Sequence, residues 1–321
     1  MSVSNERLAL LYKALDRTEA EIGKAVVGKR LVIRRVLTAI LAGGHILMED
    51  VPGVGKTTLA VSFSKVMGMD YRRMQFTPDV MPSDVVGFNV YNRETGTQEY
   101  VPGCVMCNLF LADEINRTSS KTQSALLEVM EEGTVTVDGV TRSVPQPFIV
   151  IATQNPIGAA GTQMLPDSQL DRFIVRLSIG YPDGENEIRM MKDRRQSNPI
   201  DDIVPIMTAK VLTEIRRAVE LVHVDDRIYQ YVTDLVNATR EHDMLSLGIS
   251  PRGSLAILSM AKANAFVNHR AYVVPEDVMA IFPVSAAHRM VLTPTARMNR
   301  VTAEDVAEQV LASVVPPKVF A

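Results

Sequence analysis

A lysine and a hydroxyl behind two closely spaced glycines form a phosphate-binding combination, and this chain carries it at Val51-Pro52-Gly53-Val54-Gly55-Lys56-Thr57-Thr58. Phosphate oxygens need several backbone N–H groups pointing inward, and Gly53 and Gly55 let the chain come close. A helix opening at this point presents its N-terminal dipole to the anion. Lys56 can then reach β- and γ-phosphates, and the Thr57 hydroxyl is placed for Mg²⁺. The strict pattern has glycine where this chain has Asp50. Aspartate tolerates left-handed backbone better than most residues, so the turn is expected to survive there, but a carboxylate at that point could weaken phosphate binding.

Further polar groups follow short apolar runs. Asp113 and Glu114 end the run 109–112. A carboxylate at a strand end can hold Mg²⁺, directly or through water, and its neighbour can polarise an attacking water. Asn155, in Ala152-Thr153-Gln154-Asn155-Pro156, could orient that water or touch a γ-phosphate; its alternative role is a turn before proline. Arg172 (in Leu170-Asp171-Arg172-Phe173) and Arg252 (in Ile249-Ser250-Pro251-Arg252) are candidate cations for a transferring phosphoryl group, supplied in cis or by a neighbouring subunit. Ser250-Pro251 also reads as a helix start, which puts Arg252 in a first turn where a cation opposes the helix dipole. Cys104 and Cys107 form a lone CxxC, read as packing residues, and the five histidines show no metal-binding spacing.

These groups need elements to hold them. Runs 46–50, 71–76, 109–113, 148–153 and 174–178 have the length and composition of buried strands. They alternate with helical patterns such as 119–131, and strand–helix alternation implies a parallel sheet covered on both faces. After about residue 184 the pattern becomes helical throughout, with faces at Val211, Ile215, Ala218 and Val222, then Ile228, Tyr231, Val232, Leu235 and Val236, then Leu255, Leu258, Ala261 and Phe266. Two segments break the alternation: 134–144, turning at Asp138-Gly139, and 88–100, turning near Gly96, both read as inserted β-hairpins.

The 321 residues are 46% apolar and 22% charged, which is globular and long enough for two domains. Thirty-four basic against 37 acidic residues leave a net charge of −3, which excludes a chain-wide basic footprint for nucleic acid or anionic membrane. No apolar run approaches the ~20 residues of a membrane span, the first residues lack a signal peptide's apolar core, and two cysteines make no disulfide framework, so a cytoplasmic location is expected.

In order and spacing, these pieces resemble the MoxR family of AAA+ ATPases over nearly the whole chain: Val27-Gly28, the phosphate loop, the segment ending Asp113-Glu114-Ile115-Asn116-Arg117, Asn155-Pro156, Asp171-Arg172-Phe173 and Ser250-Pro251-Arg252. The resemblance implies an α/β AAA+ P-loop core with a five-stranded parallel sheet and two inserted hairpins over 1–183, and an all-α lid over 184–321. It implies ATP/ADP and Mg²⁺ as ligands. Gly53, Gly55, Lys56 and Thr57, with Pro52, Val54 and Thr58, would form Walker A; Asp113 and Glu114 would form Walker B. Asn155 looks like sensor 1, Arg172 like an arginine finger acting in trans, and Arg252 like sensor 2 from the lid. Val26, Val27 and Gly28 would line the adenine pocket, and Arg117 would be a second inter-subunit arginine. The family further implies a homo-oligomeric ring, usually hexameric, that remodels or matures client proteins, often with a von Willebrand factor type A domain protein.

Asp50 departs from the family pattern, as does the pair Cys104 and Cys107, where relatives carry a proline and an aromatic. A DNA-engaging motor of the same clade is the alternative function; the −3 charge and the single cation in 134–144, Arg142, argue against it. Asp50 also keeps a non-hydrolysing nucleotide-binding scaffold open.

Overall fold

The central strands of the first half are buried until their last residue, and the fold follows from that pattern. The structure, a computed structural model, describes residues 5–51, 53–155, 165–193 and 198–318; Pro52 lies outside them. Its first part runs α1 (Asn5–Ala25), α2 (Arg30–Leu41), β1 (His45–Glu49), α3 (Lys56–Val66), β2 (Tyr71–Gln75), α4 (Pro82–Val86), β3 (Gly87–Asn92), β4 (Thr97–Pro102), β5 (Leu109–Asp113) and α5 (Ser120–Glu132). It continues through β6 (Thr134–Val137), β7 (Val140–Ser143), β8 (Ile149–Gln154), α6 (Asp167–Leu170) and β9 (Phe173–Leu177). Strands β2, β5, β8, β1 and β9 lie side by side in that order, every pairing parallel. The five strands expected from sequence are these five, each within a residue of its expected ends. Strands β1, β5 and β8 are buried until their final residues Glu49, Asp113 and Gln154, which come out towards solvent. In a parallel sheet these carboxyl ends lie along one edge, where ligands bind.

Two cores cover the two faces. One side packs α4, α5 and the hairpins through Phe76, Phe110, Leu126, Leu127 and Phe148. Cys107 is buried there and burial pushes its thiol up to about 12, so it packs as an apolar group and is not a nucleophile. The other side packs α1, α2 and α3 through Leu15, Leu37 and Phe63, and the same core runs on without interruption into the second half of the chain at Leu235, Ile257 and Phe266.

That second half comprises α7 (Gly184–Asp193), α8 (Ala209–Glu220), α9 (Asp226–Arg240), β10 (Leu245–Leu247), α10 (Pro251–Val267), α11 (Pro275–Ala286), β11 (Val291–Leu292), α12 (Pro294–Met298) and α13 (Ala303–Ser313). Among its described residues it is helical apart from a bridge between His223 and Tyr272 and the antiparallel ladder β10–β11, whose two- and three-residue strands are too short to leave a period in the sequence. Ser250 begins α10 by accepting from the Gly253 N–H, with Pro251 in the first turn. Leu255 departs from its expected place on the buried face: it is 67% exposed, one turn after Arg252, while Ile257, Ala261 and Phe266 carry the core. The first turn of α10 turns Pro251 and Arg252 to solvent and Gly253 into the protein, and Leu255 lies on that open side, which helical spacing alone does not identify.

Both hairpins form. Asp138 and Gly139 have φ of 49° and 77°, the left-handed pair of a type I′ turn. The hairpins touch each other: Asn89 Nδ2 donates to Asp138 Oδ2 at 2.7 Å, and Arg142 lies 4.1 Å from the Tyr100 ring centre. Their outer surfaces carry exposed Val90, Tyr91 and Val140. No helix among the described residues is long and apolar enough to cross a membrane.

His45 ties α5 to the sheet at the start of β1. Its Nδ1 accepts from the Val150 N–H and its Nε2 donates to the Met130 carbonyl, both at 3.0 Å, which requires the neutral ring. Burial pulls its pKa from 6.5 to about 4, with Arg216 and Arg252 adding to the depression. The unfolded chain therefore takes up a proton that the folded one refuses, so the stabilisation is complete above pH 6.5 and is lost as pH falls towards 4. The loss should be about 3 kcal/mol. Urea midpoints measured from pH 7.5 to 4 should fall, and His45→Gln should flatten that fall; buried His288, also held neutral, supplies the remainder.

Candidate functional site

The phosphate loop joins the end of β1 to the start of α3. Gly53 and Gly55 take φ of +87° and +97°, which favours glycine at both positions. A side chain at either would meet nothing within 4 Å, so the loop's inner surface is an open cradle over the first N–H groups of α3. Lys56 opens that helix with its Nζ turned back to donate to the Asp50 carbonyl at 2.9 Å. Burial lowers its pKa, while Asp50, Asp113 and Glu114 act in the opposite direction. Thr57 and Thr58 follow it, partly exposed.

Asp113, the last residue of β5, accepts from the Thr153 hydroxyl at 2.6 Å and from the Arg73 guanidinium at 2.7 Å. Glu114 sits in the left-handed region at φ 57°, a strain of order 1–3 kcal/mol for a non-glycine residue. Its N–H donates to the Thr153 hydroxyl at 2.8 Å, which holds the turn and directs its carboxylate. That carboxylate accepts from Arg117 at 2.7 Å and from the Asn155 amide at 3.1 Å. Arg117 first, then Asn155 and Gln75, hold the Glu114 carboxyl below its ordinary range against the opposing effect of burial. Asn155 is steadied by a reciprocal pair of bonds with Asn116, at 3.3 and 3.4 Å. Among the described residues the buried Asn155 Oδ1 has no hydrogen-bond partner, an orphan acceptor that suits a water or other donor brought in with a ligand.

On the other side of the loop, Val26, Val27, Gly53, Gly55 and Thr58 line a cavity of about 270 Å³ with Tyr181 and Met190. Gly28 adjoins it at φ +73°, and a Cβ there would stand 2.3 Å from the Asn186 amide. The first turns of α7 therefore close this cavity.

Arg172 and Arg252 lie elsewhere. Arg172 donates to the Leu127 carbonyl at 2.7 Å and pairs with Glu131 at 3.0 Å; Arg252 pairs with the same Glu131 at 3.3 Å. Glu131 follows Met130, whose carbonyl meets His45 at the start of β1, whereas the phosphate loop begins beyond its end. At about 3.3 Å per residue the strand separates the two arginines from their own phosphate loop by roughly 16 Å. The two arginines share a place, on the edge away from the loop. Arg117, expected as a second inter-subunit arginine, pairs in this single chain with its own Glu114.

A model of the ATPase family associated with various cellular activities (AAA) matches residues 45–175, and a model of the AAA lid domain matches 237–310. The uncharacterized protein YeaC of Bacillus subtilis is 45% identical over 307 residues, 96% of each chain. Chaperone MoxR1 of Mycobacterium tuberculosis is 37% identical over 325 residues, covering 98% of this chain and 86% of that protein. The chain belongs to the MoxR family of AAA+ ATPases. The crystal structure of a candidate ATPase from Cytophaga hutchinsonii has the same fold, with a TM-score of 0.91 at 36% identity over 98% of each chain.

Within the MoxR family pattern, the departure at Asp50 acquires a physical explanation. Asp50 is not left-handed, so its position needs no glycine. Its carboxylate is 5% exposed and accepts from the Ser178 hydroxyl at 2.7 Å and from the N–H groups of Ile179 and Gly180 at 2.7 and 3.1 Å. The expected carboxylate facing the phosphates is thus corrected: the charge is turned to the chain that leaves β9 towards α7. Sequence reasoning also missed Arg73, Gln75, Asn116 and Thr153. Arg72-Arg73 inside an edge strand was the one visible signal.

Asp50→Ala should lower stability by about 1–3 kcal/mol, because it strands buried N–H groups. It should leave nucleotide affinity no tighter than wild type; a carboxylate facing the phosphates would predict tighter binding. Urea denaturation and displacement of a fluorescent ADP analogue measure the two effects.

Proposed function

We propose that this MoxR-family chain hydrolyses ATP with magnesium in a homo-oligomeric, usually hexameric ring, with 1–183 as the nucleotide-binding domain and 184–321 as the lid. The observation that carries this reading is the convergence of Lys56, Asp113, Glu114 and Asn155 beside one open glycine cradle, while Arg172 and Arg252 face away from it. The cavity beside Val26 and Val27, walled by α7, suits the adenine and ribose. Gly53, Val54, Gly55 and Thr58 surround the phosphates, and the open cradle and the orphan Asn155 Oδ1 fit such a ligand.

Thr57 and Asp113 would hold magnesium, which when bound supplies positive charge to the β- and γ-phosphates. Lys56 spends one ammonium proton on the Asp50 carbonyl and has others for phosphate oxygens. Glu114 takes a proton from a water attacking the γ-phosphorus, and the bond to the β-phosphate oxygen breaks, leaving ADP and phosphate. Asn155 Oδ1 accepts a hydrogen bond from the water's other O–H, which stays on the oxygen, and aims it. While Arg117 holds it, Glu114 is a weak base, so turnover requires this ion pair to loosen. Arg172 and Arg252 act on the phosphate of the next subunit, because their own is a strand's length away. A protein client fits the hairpins better than DNA does: their exposed residues include Val90, Tyr91 and Val140, and Arg142 is stacked on Tyr100. A von Willebrand factor type A domain protein is the expected partner, and the cytoplasm the expected location.

Glu114→Gln should reduce phosphate release by about 10²–10⁴-fold while nucleotide still binds. The wild-type rate per chain should climb with protein concentration as subunits assemble; a flat rate would make the ATPase self-contained. Arg117→Ala removes the chief cause of the low Glu114 pKa. The acid limb of its kcat/KM profile should therefore move to higher pH, since the carboxylate will take up its proton earlier on acidification.

A further inference from the structure

Immediately before Arg172 stands Asp171, and its carboxylate is spent entirely on the lid. One oxygen accepts from Arg289 Nε at 2.7 Å and the other from the Ser250 hydroxyl at 2.8 Å. Ser250 is the residue that caps α10, two positions before Arg252. Arg289 is 6% exposed, and its remaining N–H groups also go to the chain that carries Arg172. They reach the carbonyls of Asp171 at 3.2 Å, Phe173 at 2.6 Å and Ile174 at 3.2 Å, and that of Ser285 in the lid. His288 adds a bond from its Nε2 to the Phe173 carbonyl at 2.9 Å.

A guanidinium using all its donors inside a protein has one arrangement open to it. The backbone at 171–174 is therefore registered against the start of α10. In front of this clamp, Arg172 and Arg252 converge on Glu131, with 29% and 44% of their side chains exposed. The two cations come from separate halves of the chain, and the buried network joins the residue next to one with the helix cap beside the other.

We propose that Asp171 is a positioning residue that, with Arg289 and Ser250, fastens Arg172 and Arg252 into one cationic unit presented to the nucleotide phosphate of an adjoining copy of this chain. This rests on the reading that both arginines act in trans, and Glu131 is their counter-ion until a phosphate competes for them.

The test mixes two full-length chains. The accepting chain carries Arg172→Ala and Arg252→Ala, so it keeps an intact phosphate loop but donates nothing. The donating chain carries Glu114→Gln, so it cannot hydrolyse but keeps both arginines. Neither alone should turn over ATP, and the mixture should. Asp171→Asn placed on the donating chain should then lower kcat of the mixture by roughly ten- to hundredfold with KM unchanged, the scale of a misplaced catalytic group. On the accepting chain, whose arginines are already gone, it should change nothing. Ser250→Ala, which leaves the Asp171–Arg289 charge pair intact, should show the same one-sided loss to a smaller degree, and serves if Asp171→Asn does not fold. Equal losses on either chain would mean a merely structural network, and no loss on the donating chain would mean the arginines need no such clamp; either overturns the proposal. A parent mixture without activity would instead overturn the trans reading itself, and the proposal with it.

Discussion

A parallel sheet buried on both faces leaves only its strand ends for chemistry, and that constraint organises this protein. Strands β1, β5 and β8 are apolar where the sheet must exclude water and turn polar in their final residues. Their carboxyl ends lie on one edge because parallel strands point the same way. The phosphate loop, the paired carboxylates and Asn155 are therefore neighbours in space although about a hundred residues separate the first from the last. The strand beginnings lie on the opposite edge, where Arg172 precedes β9 and Glu131 lies in the last turn of α5.

Charge on this scaffold is matched locally. Asp113 is held by Arg73, Glu114 by Arg117, Arg172 and Arg252 by Glu131, and the Lys56 ammonium by the Asp50 carbonyl. Apart from buried Lys56, these are partly exposed ion pairs, whose individual contribution to stability is small, typically under about 1 kcal/mol. On the proposed reading, those around the phosphate are the ones that would give way to it. The more enclosed polar groups behave differently. Buried Asp50, His45 and Arg289 and half-buried Asp171 have several short bonds apiece, and losing one partner would strand the others. They fix the frame in which the exchangeable pairs move.

Asp50 and Asp171 have parallel roles. Each is an acidic residue beside a candidate functional group, the phosphate loop or Arg172, whose carboxylate is used away from it: Asp50 on the chain leading to α7, Asp171 on the lid. The nucleotide loop and the arginine edge are thus each tied to the helical half of the molecule, and one continuous apolar core runs between them.

Much of this was legible in order of residues. Glycine, lysine and hydroxyl spacing specified the phosphate loop, because backbone approach and helix polarity are local properties. The five strands, both hairpins, the type I′ turn at Asp138-Gly139 and the α10 cap at Ser250 were likewise local. Partnerships across the chain were not. Nothing in the sequence near Arg73 says that it meets Asp113, or near Arg289 that it meets Asp171, because those pairings depend on strand order and lid packing. The same holds for Asp50, whose carboxylate is turned away from the loop its position suggested it would face, for Arg117, found on its own Glu114, and for Leu255, whose exposure depends on where the lid meets the body. The sequence by itself determined which groups are available and which short elements hold them; the tertiary structure alone decided which charges face each other, since that depends on contacts between residues tens to over a hundred positions apart.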